Sequence, residues 1–165
     1  MKKIITALLL TVMLLFTFTA CSSEYSEFGL HYTLPSDYEQ ITVPYSQHCY
    51  TDGNAYFFFV QFAPEQIEEE LGYDSDISVR DYTIKFLNEN ELALNLYEYD
   101  EARDMSVIKY ESLADEQFPD DELYYHVILK GTTGYLYIVT MSCELDMRET
   151  YEPEFEQQIQ EIYAD

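Results

Sequence analysis

The feature that most limits what this chain can fold into is a long hairpin written between residues 123 and 143. Leu123-Tyr-Tyr-His-Val-Ile-Leu-Lys130 and Tyr135-Leu-Tyr-Ile-Val-Thr-Met-Ser-Cys143 are rich in β-branched and aromatic residues, and Gly131-Thr-Thr-Gly134 joins them. That pattern predicts two antiparallel strands around a short Gly-flanked loop. Side chains alternate across a strand, so Leu123, Tyr125, Val127 and Leu129 share one face while Tyr124, His126 and Ile128 share the other. The second run sets Tyr135, Tyr137, Val139 and Met141 against Leu136 and Ile138. Neither face is plainly wet. A sheet apolar on both sides requires a cover on both, either helices above and below or a helix opposite another layer.

The N-terminus carries an address. Met1-Lys-Lys3 is a basic start, residues 4–18 are an apolar run, and Thr19-Ala20-Cys21 closes it. This order reads as a secretory leader over residues 1–20, too short for a lasting span. Phe18-Thr19-Ala20-Cys21 resembles the bacterial lipobox, with Phe18 where Leu is usual; the resemblance implies a lipid on Cys21 and an anchored, extracytoplasmic protein of a bacterial envelope. Residues 21–27 then read as the lipidated cysteine and a polar tether, with a single domain over 28–165.

Losing Lys2 and Lys3 with the leader removes two of the eight basic residues and none of the 32 acidic ones, taking the formal charge from −24 to −26. Such a surface repels nucleic acid and anionic headgroups, which excludes the nucleic-acid binders. Acidity alone does not imply disorder here, because 17 Tyr and 10 Phe supply a sizeable core.

In chain order, Phe28, Leu30, Tyr32 and Leu34 alternate as an opening strand that Pro35-Ser-Asp37 stops. Residues 47–51 and 56–62 flank Asp52-Gly53-Asn54-Ala55 as a second strand pair. Pro64 opens a short helix that Gly72 ends, and Ser78 caps a longer one whose stripe is Val79, Tyr82, Phe86 and Leu87. Leu92, Leu94 and Leu96 have period two, and residues 107–113 return as a strand after a polar turn at 100–104. Pro153 reads as the first turn of a closing helix with Phe155, Ile159, Ile162 and Tyr163 at helical spacing. The fold class expected is α/β (α+β), a mostly antiparallel sheet covered by helices. Phe28-Gly-Leu-His-Tyr-Thr-Leu-Pro35 with Tyr38, the aromatic strand at 56–62, the middle helix, the long hairpin and the terminal helix together resemble the Mog1/PsbP-like family. That resemblance implies an α/β/α sandwich and places no functional residue.

Catalytic patterns are missing: the chain has no Gly-x-Ser-x-Gly, His-Glu-x-x-His, Cys-x-x-Cys or Gly-rich phosphate loop. No catalytic residue, metal ligand or cofactor is therefore expected. His31, His48 and His126 each fall on a predicted strand as packing or surface residues, and His48 and Cys49 point to opposite faces as strand neighbours. Acid runs at 68–76 and 120–122 lack the Gly and distal Glu of a calcium loop, which leaves weak divalent-cation association as their reach. Cys49 and Cys143 remain as an even pair in an exported chain, a candidate disulfide whose alternative is two buried thiols. Tyr97, Tyr99, Tyr110, Tyr124 and Tyr137 lie on strands, where they either pack the sheet or line a partner surface. The functional expectation is an envelope lipoprotein that binds a protein partner. Its rivals are an acidic cation or small-ligand module and a hydrolase whose site is assembled from distant residues.

Overall fold

A computed structural model of the chain describes residues 22–43, 46–113 and 120–165. The leader and Cys21 lie outside the described residues. Among the described residues, ten strands form two antiparallel sheets. The large sheet has the order β3 (Glu39–Val43), β4 (Ser46–Thr51), β5 (Ala55–Phe62), β9 (Leu136–Glu144), β8 (Glu122–Lys130), β7 (Met105–Ser112), β6 (Tyr97–Asp100). The small one joins β1 (Ser22–Glu27), β2 (Leu30–Pro35) and β10 (Tyr163–Ala164).

The expected hairpin is β8 and β9, paired in register from Glu122 opposite Glu144 to Lys130 opposite Leu136. Both of its faces are covered, as its two-sided apolar pattern requires. One face meets the small sheet and helix α3 (Arg148–Glu161); there Leu30, Tyr32, Phe57, Val127, Phe155 and Ile159 form the larger core. The other meets α1 (Pro64–Glu69) and α2 (Val79–Glu89), where Ile67, Val79 and Leu87 bury Ile108, Ile128 and Leu136. The α2 start is the expected cap: the Ser78 hydroxyl accepts from the Asp81 amide at 3.0 Å.

Several segments differ from the sequence reading. Ser22–Glu27, expected as a tether, is strand β1, paired along its whole length with β2. Its alternation is weak because it is an edge strand on which only Tyr25 and Glu27 are half-buried. Phe28, expected on the buried strand face, occupies the turn with φ 54 and is 61% exposed. Gly29 follows at φ 84, and two successive positive φ values suit the tight hairpin twist. Leu94–Leu96 is a 3₁₀ turn instead of a strand, and Leu94 is exposed.

Helix α3 begins at Arg148, five residues before Pro153, so Pro153 sits inside it. The amide that proline lacks would have bonded the carbonyl of Glu149, an exposed residue whose acceptor water can satisfy. At the hairpin loop, Gly131 is required by a close approach: a Cβ there would lie 2.5 Å from the Asp165 carbonyl, which accepts from Thr132 N at 2.7 Å. Asp165 N in turn donates to Gly29 O at 2.9 Å, tying the two turns together.

Candidate functional site

The register of the large sheet places a row of polar aromatic residues across four strands on the α2 side. Tyr110 of β7 pairs with Tyr124 of β8, Tyr124 with Ser142 of β9, and Ser142 with Tyr56 of β5. The next row is Ile108, His126, Thr140, Phe58 and Cys49. Helix α2 covers part of this face: Val79 and Leu87 share a core with Ile108, and the Phe86 ring meets His126 edge-on at 5.2 Å. Tyr110 packs at the edge of the core that α2 forms with the sheet, and Tyr124 and Tyr56 are not part of that core. Tyr56 is 42% exposed, and Tyr110, Tyr124 and Phe58 are half-buried.

The rows are held rigidly. Tyr110 and Tyr124 stack at 5.3 Å with planes 16° apart, and His126 stacks on Tyr124 at 6.0 Å and 12°. Both imidazole nitrogens are engaged, Nε2 with the Tyr110 hydroxyl at 3.1 Å and Nδ1 with the Thr140 hydroxyl at 2.9 Å. Burial pushes the His126 imidazole down from 6.5 to about 4. Burial, then the Glu122 carboxylate, pushes the Tyr110 and Tyr124 hydroxyls up, so both remain protonated donors at neutral pH.

Because the folded value for His126 lies below the ordinary one, the unfolded chain takes up the proton first. Stability from this residue therefore falls as pH drops from about 6.5 toward 4. A proton-detected titration of the imidazole carbons is expected to stay flat through pH 6 and turn near 4. A midpoint near 6.5 would mean that the ring is open to water and the stack is not closed.

The five tyrosines expected as a partner surface divide. Tyr97, half-buried opposite Ile108, and Tyr99, exposed opposite Ser106, continue the same face onto β6, and the Tyr99 hydroxyl donates to Asp104 at 2.8 Å. Tyr137 does not belong to it. It pairs with Leu129 on the opposite face, is 1% exposed, and donates to the Phe28 carbonyl at 2.6 Å. Tyr56 and Phe58 were missed, because the run at 56–62 reads as a uniformly buried strand when only its alternate residues Phe57 and Phe59 are.

Cys49 and Cys143 are free thiols, which corrects the candidate disulfide. Cys49 pairs with Phe58 and Cys143 with Ala55, so β5 stands between them and the two side chains leave opposite faces of the sheet. Two strand spacings already separate them by about 10 Å, beyond disulfide reach. Burial pushes both thiols up, Cys143 to about 11, with Glu122 the next contributor there, and keeps them inert. His48 leaves the other side of β4 from Cys49; its Nδ1 lies 2.6 Å from Glu27 Oε2 and its ring stacks on Phe59 at 4.6 Å.

No family model matches this chain, and no curated protein matches it by sequence. Solved structures match it by fold. The solution structure of cyanobacterial PsbP (CyanoP) from Synechocystis sp. PCC 6803 superposes with a TM-score of 0.55 at 12% identity, covering 91% of this chain and 96% of that one. The Ran-binding protein Mog1p of Saccharomyces cerevisiae gives 0.54 at 9% identity, covering 88% and 96%. A mutant of Mog1 gives 0.52 at 8%, covering 87% and 95%. The chain therefore has the Mog1/PsbP-like fold, and identities this low carry the fold alone.

Proposed function

We propose that this chain is an accessory lipoprotein of a bacterial envelope, anchored through Cys21 on the extracytoplasmic side, that acts by holding a protein partner and not by catalysis. One observation carries the binding reading: Tyr110, Tyr124, Ser142 and Tyr56 stand in one row across four strands, Tyr110 and Tyr124 stacked on each other and Tyr56 42% exposed. Tyrosines fixed in this way supply contact area at low entropic cost. A fold neighbour, Mog1p, is named for binding the protein Ran, which agrees with protein partners in general. The anchoring reading rests on the basic, apolar, Ala20-Cys21 order of the leader.

One experiment tests both. Full-length chain carrying a photo-crosslinking residue at Tyr56 is expressed with a fatty-acid label, and membranes are irradiated. The wild type is expected to carry label and to give one discrete crosslinked protein. Tyr110→Ala with Tyr124→Ala should lower the crosslink by about tenfold or more, the loss of two aromatic anchors, while thermal melting confirms the fold. Cys21→Ser should lose the label. Unchanged crosslinking in the double variant would remove the tyrosine row from the partner site, and label retained on Cys21→Ser would remove the anchor.

A further inference from the structure

A second concave site lies on the opposite side of the molecule from the tyrosine row, where α3 crosses the end of β2. It is a groove of about 630 Å³ between Leu34, Pro35 and Asp37 on one wall and Glu154, Gln158 and Glu161 on the other. Apolar surface from Pro35 and Pro153 alternates with carboxylates, and neither Lys, Arg nor His is among its lining residues. Acids are abundant everywhere in this chain, so their presence alone means little.

Two further observations separate this groove from the acidic surface at large. Gln158 is only 4% exposed, and its side-chain Oε1 has no hydrogen-bond partner. A buried acceptor left unpaired costs free energy that a donor entering the groove would recover. Glu154 is the second. Its Oε1 accepts from the Tyr38 hydroxyl at 2.9 Å and from Gln158 Nε2 at 3.3 Å, yet no ion pair reaches Glu154, Asp37 or Glu161 among the described residues. Burial, with Asp52 and Asp37 as the nearby charges, pushes the Glu154 carboxyl up, the response of a carboxylate that lacks a cation.

Spacing narrows the ligand. Glu154 and Glu161 are seven residues apart on α3, two turns or about 10 Å along the axis, with Gln158 between them. We infer that this groove binds an extended aliphatic di- or triamine, its terminal ammonium groups paired with Glu154 and Glu161 and an N–H donated to Gln158 Oε1. The apolar surface of Pro35 and Pro153 takes the methylene chain, and Asp37 adds charge at the Glu154 end. Inorganic divalent ions fit less well, since an amide oxygen between carboxylates two turns apart cannot close a compact coordination shell.

Spermidine titrated into the full-length protein in detergent at physiological salt is the test, read by calorimetry and by the Gln158 side-chain amide resonance. Saturable binding at one site per chain with a shifted Gln158 amide is expected. Glu154→Gln and Glu161→Gln should each weaken it by about tenfold, and Gln158→Leu should weaken it as well. The pair Glu68→Gln with Glu69→Gln, which removes two charges where each groove variant removes one but does so at exposed positions on α1, should stay within about twofold, since long-range attraction is screened. Loss in that control equal to the loss in the groove variants would overturn the site, as would a Gln158 amide that does not move at saturation; the amide readout needs no variant to fold. Equal or tighter binding of the single-charge probe Nα-acetyl-lysine methylamide would overturn the two-ended spacing on which the amine class rests.

Discussion

Truncation before Pro153 is expected to abolish the cooperative unfolding transition of the domain. The deleted stretch carries Phe155, Ile159 and Ile162, all buried, and strand β10, which closes the small sheet against β2. Phe155 is 0% exposed, with its ring 5.7 Å from Tyr125 on the sheet and 6.1 Å from Tyr151 one turn earlier. Emptying that site alone, as Phe155→Ala, should cost about 3 to 5 kcal/mol, and each isoleucine adds about 2 to 5. Their combined loss matches or exceeds the roughly 5 to 15 kcal/mol that holds a domain of this size together. Urea denaturation followed by tyrosine fluorescence checks both: Phe155→Ala should lower the midpoint with the slope unchanged, and the truncated chain should give no transition. A truncated chain that still melted cooperatively at the wild-type midpoint would mean that the larger sheet needs no cover on that face.

The second large effect is expected at Arg103, which the charge census counts only as one cation among many acids. Asp100 Oδ1 accepts from the amides of Ala102 at 3.0 Å and Arg103 at 3.3 Å, shaping the turn between β6 and β7. From that turn the guanidinium donates to the carbonyls of Ile159 at 2.7 Å and Ile162 at 2.5 Å. These carbonyls lie at the C-terminal end of α3, where no basic residue of the helix's own last turn is present to meet the dipole. Arg103→Met keeps the stem and removes the donors, leaving partly buried carbonyls unsatisfied, at a cost of roughly 2 to 3 kcal/mol. Arg103→Lys should recover less than half of it, since both bonds come from the single nitrogen Nη2 and the shorter lysine side chain ends before that position. Hydrogen exchange at the last turn of α3 should accelerate in the methionine variant ahead of the rest of the domain. Unchanged exchange there, with unchanged urea midpoint, would show that water serves those carbonyls equally well.

Residue patterning was sufficient wherever one short-range rule decided the outcome. The hairpin of β8 and β9 and the Ser78 cap follow from alternation and capping; the turn read at 52–55 ends one residue earlier, at the Ala55 start of β5, and of the stripe read at Phe155, Ile159, Ile162 and Tyr163 the first three are buried while Tyr163 is exposed on β10. The Mog1/PsbP-like order of elements was likewise legible before any coordinate. Boundaries were read less well: Pro153 was taken as a helix start because proline favours the first turn, and an exposed carbonyl allowed it inside.

The candidate site was legible only in part, for a specific reason. Sequence alternation says that Tyr124 and Tyr137 each alternate with apolar neighbours, but not which face of one strand matches which face of the next. Only the pairing of β8 with β9 puts Tyr124 beside Ser142 and sends Tyr137 to the opposite core. Cysteine parity has the same limit. Two thiols in a chain read as exported satisfy the arithmetic of a disulfide, but β5 between Cys49 and Cys143 and their opposite faces are properties of sheet order. The groove of Glu154, Gln158 and Glu161 joins a helix to a strand over a hundred residues away in the chain, so nothing local could signal it. The sequence by itself determined the elements and their apolar sides, because propensity, capping and periodicity act over a few residues. Tertiary structure decided which sides meet, because strand register and layer order are settled by long-range pairing that no window of sequence contains.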